Sequence, residues 1–284
     1  MNNKAKGGFY TLWTAAILLC LAVSVFVLIY TSVVGGGGGR RDRAEQAPDP
    51  SFTDQAAMVG EASSEPEPSP TPEPTPAPTI LAETADQGQA YIDQIVFLGD
   101  STTYGLAAYD VLPFTQIWVP ESGTLSLFNC PIAEINYYPP DDPDNPRALS
   151  IADCAATGKP EYLVITLGIN GIAMLGEDDF KQYYRDVIYS IQEASPDTKI
   201  ICQSIYPVID ALAPQGINSA GVNAANQWIL DLAQETGTRY LNTHDALMDS
   251  TGQLNSDFNS GDGIHMTLAG YNAILDYVRT HGYQ

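Results

Sequence analysis

Three short apolar runs constrain the architecture of this chain more than any other feature. Ile95-Val-Phe-Leu, Tyr162-Leu-Val-Ile-Thr-Leu and Lys199-Ile-Ile-Cys-Gln-Ser-Ile show no regular alternation of apolar and polar positions. Continuous runs of about four to eight such residues read as strands covered on both faces, the pattern of parallel sheets. Helical spacing lies between and after them. In Asp178–Glu193, Phe180, Tyr184, Val187, Ile188 and Ile191 fall on one side. Val222–Glu235 and Leu268–Thr280 also read as helices, the last with Thr267 as its N-cap. Gln116–Val119 and Tyr240–Leu241 are weaker strands. Strand alternating with helix predicts an α/β fold, a three-layer α/β/α sandwich around a mostly parallel sheet. Ligands of such sheets bind beyond the carboxyl ends of the strands. Functional residues are therefore expected directly after strands or in loops on that rim.

The sheet-forming pattern begins late in the chain. Residues 1–8 form a short tail, and Phe9 to Val34 then carry no charge at all. That run exceeds the roughly 20 residues a bilayer core requires and the roughly 7–15 of a signal-peptide apolar region. Residues 9–34 are read as an uncleaved transmembrane anchor, with a cleaved signal peptide as the alternative. Lys4 and Lys6 before the span nearly balance Arg40, Arg41 and Arg43 after it, so charge alone does not orient it. Residues 35–87 are rich in Gly and Pro, including EPEPSPTPEPTPAPT, and read as a disordered, extended linker. A stalk that holds a domain away from a membrane suits an outer face, so the domain at 88–284 is expected to be extracytoplasmic on a single-pass membrane protein.

The chain has Lys+Arg 12 against Asp+Glu 34, a formal net charge of −22. Binding to a phosphate backbone needs clustered cations, so nucleic acid is not an expected partner. The same field repels polyanionic polymers and favours a neutral substrate. The four cysteines lack CxxC spacing, and no metal site or cofactor is expected. Cys130 and Cys154 could pair if their backbones approach within about 4.4–6.8 Å. Cys202 lies in an apolar run and reads as a buried small hydrophobe.

Four polar motifs fall where the fold wants ligands. The first strand ends in Gly99-Asp100-Ser101, and the weak second one is followed by Glu121-Ser-Gly123-Thr. Gly168-Ile169-Asn170-Gly171 follows the second apolar run, Tyr162–Leu167, and Asp262-Gly263-Ile264-His265 precedes the last helix. Together these residues resemble the SGNH, or GDSL, hydrolase family over roughly Ile95 to Gly282. The resemblance implies a flavodoxin-like sandwich and an acyl-enzyme mechanism on an ester. One departure is Gly171, where that family usually has Asp, so a bond supporting Asn170 needs another source.

The chemistry assigns roles to the same residues. Ser101 is the candidate nucleophile and needs a base to take its proton. His265 suits that role, its ordinary pKa lying near 6.5. Asp262 would fix the imidazole tautomer. The Ser101 and Gly123 backbone N–H groups and the Asn170 amide are the candidate oxyanion hole. Asp100 is read as structural. His244-Asp245 is set aside because neighbours in an extended segment point to opposite faces, and His281 is read as a solvated tail residue. The acidic run Glu177–Asp179 is read as a helix start, where negative charge is favourable. The expected activity is that of a serine esterase acting on small acyl, chiefly acetyl, esters of a wall glycan or other carbohydrate. An O-acyltransferase using the same serine, or a catalytically silent wall-binding module, are the rival readings.

Overall fold

The computed structural model describes residues 78–284. The transmembrane and most of the linker expectations, residues 9–77, lie outside the described residues. Among the described residues no helix is long and apolar enough to cross a membrane.

In chain order the elements are α1 (Gln89–Ile92), β1 (Ile95–Gly99), α2 (Ser101–Ala108), β2 (Ile117–Trp118), β3 (Ile135–Tyr137) and β4 (Arg147–Leu149). Then come α3 (Ile151–Gly158), β5 (Tyr162–Thr166), α4 (Glu177–Ala194), β6 (Lys199–Gln203), α5 (Ser219–Thr236), β7 (Arg239–Leu241), α6 (Thr243–Leu247) and α7 (Leu268–Arg279). Five strands form one sheet in the order β2-β1-β5-β6-β7, with every neighbouring pair parallel. The two remaining strands make an antiparallel hairpin, β3 with β4. It is tied to the sheet's margin by the Asn136 N–H, which donates to Val119 O at 2.9 Å.

Alternation along the strands sends side chains into two separate cores. Leu98, Leu163, Ile165, Ile200 and Cys202 meet Phe180, Tyr184 and Ile188 of α4 and Val222 and Ile229 of α5. On the other face Ile95, Phe97, Val164 and Ile201 meet Leu106 of α2 and Tyr271, Ile274 and Val278 of α7. A strand covered on both faces needs apolar residues at successive positions, which is why these runs lack alternation.

From β1 the chain moves outward through α2 to β2, then returns to β5 on the opposite side of β1. The strand order thus reverses between β1 and β5, the switch point where doubly wound sheets open a crevice at their carboxyl ends.

Residues before 88 pack against the sheet. The Leu81 N–H donates to Tyr240 O at 2.9 Å, and the Tyr240 N–H to Thr79 O at 2.8 Å, so this segment runs parallel to β7 at the sheet edge. Leu81 is 3% exposed and belongs to the α7-side core. The low apolar content around it hid this strand-like pairing, which also covers an otherwise open edge.

Candidate active site

The nucleophile candidate sits where β1 turns into α2. Any Cβ at Gly99 would press into the Thr103 side chain and lie 2.7 Å from Thr166 O. Glycine alone lets the first turn of α2 close over the strand ends. Asp100 caps that turn: its Oδ1 accepts from the Thr102 N–H at 3.0 Å and the Thr102 hydroxyl at 2.8 Å. A cap of this kind contributes about 1 kcal/mol. Asp100, rather than Ser101, is therefore the N-cap, and Ser101 is the first residue of α2. At that position a backbone N–H has no carbonyl one turn back to bond and lies at the positive end of the helix. Asp100 is 1% exposed, and burial pushes its carboxyl up to about 6 against the opposing hydrogen bonds from Thr102.

The loop before α7 is folded by a single carboxylate. Asp262 Oδ1 accepts the N–H groups of Ile264 and His265 at 3.0 and 2.9 Å, while Oδ2 meets His265 Nδ1 at 2.6 Å. Gly263 between them has φ 82°, and a Cβ there would lie 2.7 Å from Ala213 N and 2.9 Å from Ile209 O. The Ile209 N–H in turn donates to Gly263 O at 2.9 Å, anchoring the loop to the chain beyond β6. Partial burial works to raise the Asp262 carboxyl, but the His265 ring and the two N–H groups outweigh it and hold it below the usual value. With Nδ1–H donated to Asp262, Nε2 is the acceptor, and it lies 2.8 Å from Ser101 Oγ. A hydroxyl on an imidazole whose far nitrogen is held by a carboxylate can lose its proton as the oxygen attacks.

Asn170 follows β5, across the switch point from Ser101. Its Nδ2 donates one hydrogen to Leu125 O at 3.0 Å, leaving the second to point elsewhere. This carbonyl supplies the support that Gly171 cannot. Gly171 serves the backbone instead, its N–H donating to Gly168 O at 2.8 Å. Gly123 follows β2, on the opposite flank of β1, and its N–H donates to Pro120 O at 2.8 Å and closes a turn. Of the expected oxyanion donors, Ser101 N–H and the second Asn170 N–H are uncommitted, while Gly123 N–H is shared with its own turn. The Leu125 carbonyl is a backbone partner that no sequence signal marks.

Two expectations are corrected. His244 and Asp245 are not in an extended segment but in α6, where helical geometry brings His244 Nδ1 to 3.4 Å from Asp245 Oδ1. His244 is buried, its Nε2 has no hydrogen-bond partner, and desolvation depresses its pKa. His281 is not a solvated tail residue: its ring stacks on Tyr277 at 3.7 Å and its Nδ1 lies 2.9 Å from Tyr277 O. Cys130 and Cys154, whose pairing the sequence leaves open, are buried free thiols, and Cys202 is buried and free as its apolar run predicts. Glu177, Asp178 and Asp179 do occupy the first turn of α4, and Thr267 does cap α7, accepting from the Gly270 N–H at 3.3 Å.

A doubly wound sheet whose switch point holds a serine, an imidazole and an amide defines an α/β ester hydrolase. The model of the GDSL-like lipase/acylhydrolase family matches residues 97–273, and the chain belongs to that family. No curated protein matches the sequence. Among solved structures, a GDSL-like lipase from Bacteroides thetaiotaomicron is 18% identical, with a TM-score of 0.43 over 64% of this chain and 83% of that one. A variant of an acetyl-xylooligosaccharide esterase from Geobacillus is 14% identical, with a TM-score of 0.44 over 72% of this chain and 97% of that one.

Proposed function

We propose that the chain is a membrane-anchored, extracytoplasmic serine esterase that removes small acyl groups, chiefly acetyl, from a neutral carbohydrate. One observation carries the reading: the unbroken hydrogen-bond line from Ser101 Oγ through His265 to Asp262, at 2.8 and 2.6 Å. Ser101 Oγ attacks the ester carbonyl as its proton passes to His265 Nε2. The charge developing on the carbonyl oxygen is met by the Ser101 N–H at the start of α2 and the free Asn170 N–H. The Gly123 N–H joins them by sharing its hydrogen with Pro120 O. Collapse of the tetrahedral intermediate breaks the bond to the sugar oxygen, which leaves with the proton from His265. Water then attacks the acyl-enzyme by the same route, His265 taking its proton and returning it to Ser101 Oγ. Asp262 keeps Nδ1 protonated throughout and stabilises the imidazolium. No step calls on a cofactor or metal.

The formal net charge of −22 favours a neutral glycan over a polyanion. The uncharged run Phe9–Val34 and the Pro-rich stretch after it support an anchor and stalk, and hence a substrate outside the membrane. The test is release of acid from a panel of acyl nitrophenyl esters and acetylated neutral glycans, with and without Ser101→Ala. Acetyl esters should turn over fastest and the variant should be inactive. Equal turnover by the variant would refute the mechanism, and a preference for long acyl chains would refute the substrate assignment.

A further inference from the structure

Tyr104 is an exposed aromatic ring beside the nucleophile that the ester chemistry itself does not use. It follows Ser101 by three positions on α2, so the two side chains share one helix face. The residue is 38% exposed, yet its ring is braced. The Phe114 ring lies 5.9 Å away at 50°, and Tyr138 stacks on Phe114 at 5.1 Å and 29°. The Tyr138 hydroxyl is held in turn by the Asn136 amide at 3.0 Å. Gly123 lies against the ring near its Cγ, where an added Cβ would come within 3.2 Å. Exposed Glu121, Ser122 and Thr124 flank Gly123 and give this part of the rim a polar edge.

A fixed aromatic face with a polar border suits a ligand that is apolar on one face and hydroxylated around its edge. A sugar ring has that form. A fatty chain would need a continuous apolar wall, which the Glu121–Thr124 border interrupts. An anionic ring is disfavoured by the net charge of −22.

We propose that Tyr104, braced by Phe114 and Tyr138, is the platform on which a neutral sugar ring of the substrate stacks while its ester reaches Ser101; this rests on the esterase reading above. The test is calorimetric titration of the full chain carrying Ser101→Ala with maltohexaose, xylohexaose and chitohexaose, which needs no turnover. At least one should bind. Adding Tyr104→Ala or Tyr104→Leu should raise its Kd about 3- to 10-fold, the range expected for one lost aromatic contact. Tyr104→Phe should retain the affinity, and Tyr189→Ala, an exposed tyrosine on α4, should leave it unchanged. The leucine variant guards against misfolding, because it keeps the bulk that alanine removes from α2. Absence of binding by all three sugars, or an equal Kd without the ring, would overturn the platform. Sugar binding that depends on Tyr104 in a wild-type chain inactive on every ester would fail the esterase reading instead and leave the platform standing.

Discussion

The amide of Asn170 donates to the carbonyl of Leu125 at 3.0 Å, joining the loop after β5 to the chain after β2. The strand between those two is β1, which ends at the nucleophile. The bond therefore spans the end of β1 and fixes one amide hydrogen so that the other is aimed before any substrate arrives. Preorganised donors cost no reorientation during the reaction, which is the source of their effect.

Removing that donor should act on turnover more than on folding. Asn170→Ala is expected to lower kcat by about 10²–10³ with little change in KM. Steady-state kinetics on 4-nitrophenyl acetate, with thermal denaturation as a folding control, checks this. An unchanged kcat would remove Asn170 from the oxyanion hole.

Asp262 has two duties that one substitution separates. In Asp262→Asn the amide oxygen still accepts from the Ile264 and His265 N–H groups, so the loop should hold its shape. The imidazole tautomer should be wrong, and kcat should fall by about 10⁴. A thermal midpoint near that of the wild type together with this loss is the expected pair of results.

Asp100 gives the folded protein a distinct pH signature. Its carboxyl moves from 3.8 to about 6 on folding, through burial first and against the Thr102 bonds. Well below 3.8 the group is protonated in both states and carries no penalty. As pH rises towards about 6 the unfolded chain ionises first, so stability is lost through that window, by about 3 kcal/mol. Asp100→Asn lacks this titration while keeping an oxygen for the Thr102 N–H. Denaturant unfolding from pH 4 to pH 7 should show the variant gaining on the wild type by about that amount. Parallel curves would contradict it.

How much of this was legible follows from where the stabilising contacts lie. Tyr162–Thr166 and Lys199–Gln203 could be read because burial on both faces demands an unbroken apolar run. The α4 face could be read because Phe180, Tyr184, Val187, Ile188 and Ile191 all meet the same core. The α2 helix could not. Its sequence, STTYGLAA, holds two β-branched residues and a glycine, and it is helical through the Asp100 cap and the close approach of Tyr271 to Gly105. The β3–β4 hairpin and α3 were also missed, being three to eight residues long with too few apolar positions to set a period. At the site, Ser101 and Asn170 were legible as candidates because they follow strands, and Asp262 and His265 because their spacing lets one loop present both side chains. The Leu125 carbonyl and the Gly123–Pro120 bond were not, because backbone partners leave no trace in residue type.

The cysteines make a prediction independent of the site. Burial pushes the Cys130 and Cys154 thiols up to about 12 and Cys202 to about 11. None should react with a thiol reagent at pH 8 while the domain is folded. After denaturation without reductant all three should react, as judged by mass spectrometry of their peptides. A linked Cys130–Cys154 peptide pair would contradict the free-thiol structure.

The most direct measurement is covalent labelling of the nucleophile. The full chain is treated with a fluorophosphonate and the modified peptide is sequenced by mass spectrometry, for wild type, Ser101→Ala and His265→Ala. The expected result is one adduct, on Ser101, lost in Ser101→Ala and strongly slowed in His265→Ala. An adduct on another residue, or labelling of Ser101 at the same rate without His265, would contradict the account.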